Sequence, residues 1–293
     1  MNRTSIALPP HVYFLVSAVF HYLGPSFAVL LFAEMSPLGV AWLRIASAAL
    51  IFALWVRPWR TLSEASGPAR RLILLLGIIL AAMNICFYLA IARLPLATVA
   101  AIEFAATISV ALIGLRSWRN LAALGLAVSG VFLLIGFKVS GDMIGLGFAF
   151  ANAILFALYV IVGHAVSRQG GTSGIPRLGA AMAVAFIAAS PFGIGDVAVV
   201  ASHPLLLLAG IGVGISSSVI PYICDQLAMA RLPRASFALM LTLLPAIATV
   251  TGAVVLAQIP GPFDLAGIFL VILGVGLHQP AEIETETAPQ ALQ

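Results

Sequence analysis

The sequence predicts an all-α integral membrane protein with ten transmembrane helices, built as two inverted five-helix repeats with both termini in the cytoplasm. Three observations lead there: an apolar composition, an internal duplication, and a biased distribution of positive charge. Hydrophobic residues make up 62% of the 293-residue chain and charged residues 8%, with a mean hydropathy of +1.14, whereas soluble domains carry about 25% charged residues. So few charges cannot cover a water-facing surface. A bundle in lipid needs none, because helices satisfy their own backbone groups.

The duplication is visible in Leu89-Ala-Ile-Ala-Arg-Leu-Pro-Leu-Ala-Thr-Val-Ala100 and Leu227-Ala-Met-Ala-Arg-Leu-Pro-Arg-Ala-Ser-Phe-Ala238, identical at eight of twelve positions with an offset of 138. Ten apolar segments lie between chain breakers, at 11–33, 38–57, 70–92, 95–116, 119–137, 143–166, 175–195, 204–230, 233–257 and 263–279. Each is long enough to cross, or nearly cross, a hydrocarbon core of about 30 Å. Five fall in each copy. An odd number of crossings obliges the second copy to enter the bilayer upside down relative to the first, a geometry typical of transporters. The expected organisation is a first repeat over 1–140, a second, inverted repeat over 141–280, and an acidic, solvated tail over 281–293 carrying Glu282, Glu284 and Glu286. Pro37, Pro95, Pro176, Pro204 and Pro233 stand at or near helix starts, where a missing N–H costs little. Several connections are only a few residues long, so neighbouring helices pack antiparallel, and no linker sets off a soluble domain.

Orientation follows from the fourteen Lys and Arg residues. With a cytoplasmic N-terminus, Arg3, Arg57, Arg60, Arg70, Arg71, Arg116, Arg119, Arg168, Arg177, Arg231 and Arg234 fall inside, eleven in all, against Arg93 and Lys138 outside and Arg44 within the second span. The positive-inside rule selects that arrangement. The first span has no small-residue cleavage site after it and is expected to be retained as a helix.

The same features weigh against other classes. The net charge of +4 is small and scattered, so nucleic acid is not an expected partner. There is no nucleotide-binding Gly-x-x-x-x-Gly-Lys-Ser/Thr loop, no His-x-x-x-His pair, no Gly-x-Ser-x-Gly, and no acidic cluster for a metal. An enzyme is therefore not expected, nor a metal or other cofactor. A channel would carry rings of charge or a carbonyl filter. Cys86 and Cys224 lie one repeat apart; shared ancestry explains the spacing, and small buried thiols are ordinary in helices.

Polar residues inside spans are costly and require a reason. Arg44 lies seven residues past Pro37 and Glu103 eight past Pro95, placing both about 10–12 Å deep from the outer face at 1.5 Å per residue. Equal depth permits an ion pair. Such a pair either locks the bundle or divides the work, with Glu103 taking a proton or a substrate ammonium and Arg44 the substrate carboxylate. Asp225, six residues before Arg231, is expected about 9 Å from the inner face, where pairing with Arg231 or Arg234 or reaching to the interface accounts for it. Asn84 and Tyr88 share a helix face, and Tyr222 is the repeat mate of Asn84. The three are expected to line a cavity or to bond between helices. Asn152, Phe156 and Tyr159 form one stripe on the sixth span, with His164 near its cytoplasmic end at the interface. Ser216-Ser217-Ser218 ahead of Pro221 reads as a bend whose freed carbonyls are satisfied by hydroxyls, and Gly125, Gly130, Gly145, Gly147, Gly210, Gly212 and Gly214 allow helices to approach closely.

Trp42-Leu-Arg-Ile45 with Arg57-Pro-Trp-Arg60, Met83-Asn84 with Phe87-Tyr88, Pro95-Leu96 leading to Glu103-Phe104, and Ser218 with Pro221-Tyr222 resemble the EamA-type branch of the drug/metabolite transporter superfamily, over nearly the whole chain. Within it the sequence is most similar to bacterial amino-acid exporters of the threonine/homoserine and aromatic amino-acid kinds. The resemblance implies ten helices in two inverted halves around a central cavity in the cytoplasmic membrane, with outward transport of small amphipathic solutes such as amino acids. Ala106-Thr107 stands where those exporters often have Gly-Pro, and Leu244-Pro245 where they often have Glu-Pro. The expected substrate cavity comprises Asn84, Tyr88, Glu103, Asn152, Phe156, Tyr159, Ser218 and Tyr222, with Arg44 and Glu103 as a coupling or structural pair. Pro95, Pro221, Pro233 and Pro245 are the expected gating bends. The expected mechanism is alternating access with broad amino-acid selectivity and protons as a candidate coupling ion; an exporter of drugs or organic cations, relying on Glu103, is the other reading.

Overall fold

A computed structural model describes residues 9–112, 118–136, 142–168, 174–232, 237 and 240–277, and these are helical with no strand among them. Pro233, Arg234, Lys138 and the tail 281–293 lie outside the described residues. The helices are α1 (Pro10–Leu30), α2 (Pro37–Val56), α3 (Pro58–Glu64), α4 (Gly67–Ile91), α5 (Leu96–Leu112), α6 (Trp118–Gly136), α7 (Met143–Arg168), α8 (Gly174–Gly193), α9 (Val197–Ser202), α10 (Pro204–Gly214), α11 (Ile220–Met229), α12 (Leu244–Leu256) and α13 (Pro262–Leu277). Among the described residues, six stretches are long and apolar enough to cross a bilayer, namely Pro10–Ala33, Pro37–Val56, Gly67–Ile91, Met143–Ser167, Gly174–Ser202 and Pro204–Met229. Leu96–Ala105, Leu244–Leu256 and Pro262–Gly274 are shorter apolar helices.

Helix starts follow the proline signals. Pro10, Pro37, Pro58 and Pro204 each open a helix, where the absent N–H removes nothing from the ladder. Ser36 caps α2 by accepting from the Gly39 N–H at 3.0 Å, and its own hydroxyl donates to Asp196 at 2.5 Å, tying the start of α2 to the end of α8. Asp142 similarly caps α7 through the Gly145 N–H at 2.8 Å and faces the Arg93 guanidinium at 3.0 Å. These two donors, the backbone N–H first, hold its carboxyl below the usual range. A lowered carboxyl contributes stability above the ordinary carboxylate range and loses it as pH falls through the lowered value.

Two predicted segments differ in detail. The second span does not end at 57 in a simple loop: Arg57 takes a left-handed conformation (φ 49°) and Pro58 restarts the chain as the short α3. The segment expected over 233–257 is interrupted within its described part, because a 3-10 turn at Leu241–Leu243 precedes α12 and Pro245 occupies the first turn of that helix.

Helix contacts recur at the 138-residue offset. α1 packs on α11 as α7 packs on α4; α1 meets α12 as α7 meets α5; α2 meets α10 as α8 meets α4. The pairs α2 with α8, α5 with α12 and α6 with α13 each join corresponding segments. Close approach of α1 to the middle of the eighth span depends on Gly24, because a Cβ there would fall 2.8 Å from the backbone of Ser217. The outer surface carries large apolar side chains such as Leu54, Phe132, Ile187 and Val254, all strongly exposed. Such a belt is untenable in water and is what lipid tails require.

Candidate functional site

The central feature begins with a chemical gap. Pro221 has no N–H, so the Ser217 carbonyl four residues earlier receives no i+4 hydrogen bond. The chain accommodates this with a π turn over Ile215–Val219, a form often found at functional positions. Hydroxyls satisfy the carbonyls just above: Ser216 donates to Gly212 O at 2.8 Å and Ser217 donates to Val213 O. The Ser217 carbonyl itself is filled from another helix, by Nη2 of Arg44 on α2. Arg44 Nε donates to the Ser218 hydroxyl at 2.7 Å, and its Nη2 lies 3.5 Å from the Tyr222 hydroxyl. Its guanidinium also stands over the rings of Tyr88 and Tyr222, 5.5 and 6.0 Å from their centroids, where the ring faces attract a cation. Arg44 is only 3% exposed. It is thus a buried cation held by one polar backbone group, two hydroxyls and two aromatic faces.

Asn84 on α4 reaches the same place. Its Nδ2 donates to the Tyr222 hydroxyl at 3.2 Å and to the Leu80 carbonyl at 2.7 Å, so the expected partnership of these repeat mates is a direct hydrogen bond. On the opposite wall Glu103 of α5, 2% exposed, accepts from Asn152 Nδ2 of α7 at 2.6 Å and stands 3.7 Å from Nε2 of His21 on α1. His21, Arg44, Met83, Asn84, Phe87, Glu103, Asn152, Phe156 and Tyr222 surround one small cavity. About 10 Å³ of it is open to the centre of a water-sized sphere, room for roughly one water. One guanidinium, one carboxylate, one imidazole, two amides and the rings of two phenylalanines and a tyrosine therefore converge on a small central space.

Arg44 and Glu103 face this cavity together, but among the described residues no ion pair joins them; the guanidinium is committed to α11 and the π turn, and the carboxylate stands against His21. Asn84, Glu103, Asn152, Phe156 and Tyr222 line this cavity. Tyr88 and Ser218 lie behind the wall and hold Arg44, and Tyr159 turns away to donate to Asp225 at 3.0 Å. Asp225 corrects an expectation: rather than reaching to the interface it is buried, and Ser17 of α1 donates to it at 2.5 Å; Arg234 lies outside the described residues. Burial against Tyr159 and Ser17 gives Asp225 two hydroxyl donors, while Arg231 stands exposed near the Tyr13 ring at 5.4 Å. His164 is likewise buried, against Phe237, rather than interfacial. Cys86 and Cys224 are free thiols.

Of the bends, Pro221 follows the π turn directly, whereas Pro95 precedes α5 and Pro245 opens α12; Pro233 lies outside the described residues. His21 and Ser17 escaped the sequence reading, and Met83 and Phe87 enter it only through the resemblance, not as cavity residues. His21 carried a usable signal, a titratable side chain in the middle of an apolar span.

The chain matches no protein-family profile. It is 30% identical over 254 residues to the threonine/homoserine exporter RhtA of Escherichia coli K12, covering 85% of this chain and 84% of that protein. The RhtA of Salmonella typhimurium SL1344 is 29% identical over 255 residues, covering 85% and 82%. A crystal structure superposes with a TM-score of 0.61 at 14% identity, over 91% of this chain and 96% of that one, and so shares its fold. With its apolar helices, this relationship makes the protein a multi-pass protein of the cytoplasmic membrane. The chain belongs to the EamA-type drug/metabolite transporter family of which these RhtA exporters are members.

Proposed function

We propose that the protein exports amino acids by alternating access through the central cavity, with Arg44 recognising the substrate carboxylate and Glu103 the ammonium. The observation that carries this is the convergence of one buried guanidinium and one buried carboxylate on a single cavity with apolar and aromatic walls. That set matches a zwitterionic head with an amphipathic side chain. The RhtA relationship supports amino acids as the substrate class and export as the direction. Apolar walls separate one methylene from another by only about 1–3 kcal/mol, so selectivity extends across several neutral and aromatic amino acids.

Two inverted five-helix halves, 1–140 and 141–280, with cytoplasmic termini supply the moving parts. The recurrence of helix contacts at the 138-residue offset supports this division, and the charge bias supports the orientation. An amino acid is far larger than the present opening, so transport requires the halves to part. The π turn ahead of Pro221 and the break ahead of Pro245 supply bends where the helical ladder is already interrupted. Protons are the proposed coupling ion.

Counterflow into liposomes holding the purified protein, with labelled threonine, phenylalanine, lysine and a quaternary ammonium dye side by side, tests the substrate class. Uptake of several amino acids without the dye is expected. Uptake of the dye alone would replace this reading with export of organic cations.

A further inference from the structure

Two carboxylates are buried near the centre, and α1 and α7 hold both of them. Glu103 is flanked by His21 of α1 and bonded by Asn152 of α7; Asp225 is bonded by Ser17 of α1 and Tyr159 of α7. Ser17 and His21 are one turn apart on the same face, and Asn152 and Tyr159 two turns apart, which sets the two acids roughly 6–10 Å apart along the helix axes. Nε2 of His21 is 3.7 Å from Glu103 Oε1, and His21 stands one turn along α1 from Ser17, which donates to Asp225. Asp225 does not line the cavity, while Glu103 and His21 do.

We propose that Glu103, His21 and Asp225 form a proton path, with Glu103 the station shared with substrate and Asp225 a second station that substrate never touches. This rests on the transport reading and assigns its coupling to particular residues. A proton from the outer solution binds the Glu103 carboxylate. Glu103 passes it to Nε2 of neutral His21, the imidazolium releases the proton on its other nitrogen to the Asp225 carboxylate, and Asp225 releases one proton to the cytoplasm. His21 is left as its other tautomer and resets by rotation of its ring; every group is then in its starting form, and one proton has moved inward.

The surrounding groups fit that role. Arg44 of α2 lines the same cavity and keeps its charge throughout. Tyr22 of α1 and Tyr222 of α11 act on Glu103, and Tyr159, Tyr222 and Cys224 act on Asp225. Tyrosine and cysteine ordinarily titrate at about 10 and 8.5, above working pH.

The test uses the full chain in liposomes with a pH dye inside, recording threonine counterflow at equal pH and threonine efflux under an inward proton gradient. In the wild type, efflux should acidify the interior and accelerate about tenfold under the gradient. Asp225→Asn should keep counterflow within about twofold of wild type but lose both proton movement and acceleration, and Asp225→Glu should restore both. Ser17→Ala, which removes one donor from Asp225, should displace the midpoint of the pH profile by about half a unit. An unshifted Ser17→Ala profile would overturn the path, as would an Asp225→Asn protein that keeps gradient-driven efflux, or one that folds with a native melting temperature yet has lost counterflow. Wild-type counterflow without proton movement overturns the path alone; no wild-type counterflow of any amino acid overturns the transport reading and the path together.

Discussion

Arg44→Ala is expected to lower threonine transport at least about 100-fold and to destabilise the protein, because one side chain does two jobs. The structural job is to fill the Ser217 carbonyl that Pro221 leaves without its i+4 partner. A buried acceptor stripped of a charged donor costs about 1–3 kcal/mol, visible as a lowered melting temperature in detergent. The second job, in the proposed mechanism, is to meet the substrate carboxylate. Arg44→Lys separates the two. Lysine keeps the positive charge but cannot span Ser217 O, the Ser218 hydroxyl and the Tyr222 hydroxyl with one ammonium. It should therefore recover part of the transport with little recovery of stability. An Arg44→Ala protein that transports threonine at the wild-type rate would remove Arg44 from substrate recognition.

Glu103→Gln should reduce transport of amino acids by about 10- to 100-fold, the worth of a charge-assisted hydrogen bond. The amide still fits beside Asn152, so folding should change little. His21 loses its charged neighbour, and the remaining transport should no longer depend on pH across the range where the wild type does. Melting temperature and flux over a pH series check both parts. Full-rate transport of neutral solutes by Glu103→Gln at every pH would refute a coupling role for this carboxylate and a cation role alike.

The sequence made the architecture legible where the signals were local. Proline at helix starts, apolar length and the 138-residue repeat located α1, α2, α4, α7 and α8 within a few residues, and the Asn84–Tyr222 bond joins residues already paired by the repeat. The hydroxyl-proline run 216–221 was read as a bend and is a π turn. Contacts across the bundle were not legible. Equal depth made Arg44 and Glu103 look like partners, but depth fixes only one coordinate, and rotation about each helix turns the guanidinium toward α11 instead. Asp225 was placed by its distance from Arg231, when what decides its environment is the approach of α1, and that approach depends on Gly24 at the π turn. His21 belongs to a helix whose face toward the cavity is set by the same approach.

Competition against labelled threonine counterflow, comparing unlabelled threonine with its deaminated hydroxy acid and its decarboxylated amino alcohol, tests recognition of the zwitterion most directly. A buried site built for both charges rejects a ligand lacking one of them far more strongly than it rejects a missing methylene. Threonine should compete, and each one-charge analogue should be weaker by about 100-fold or more. Competition by the amino alcohol equal to that of threonine would contradict a carboxylate site at Arg44 and leave a cation transporter centred on Glu103.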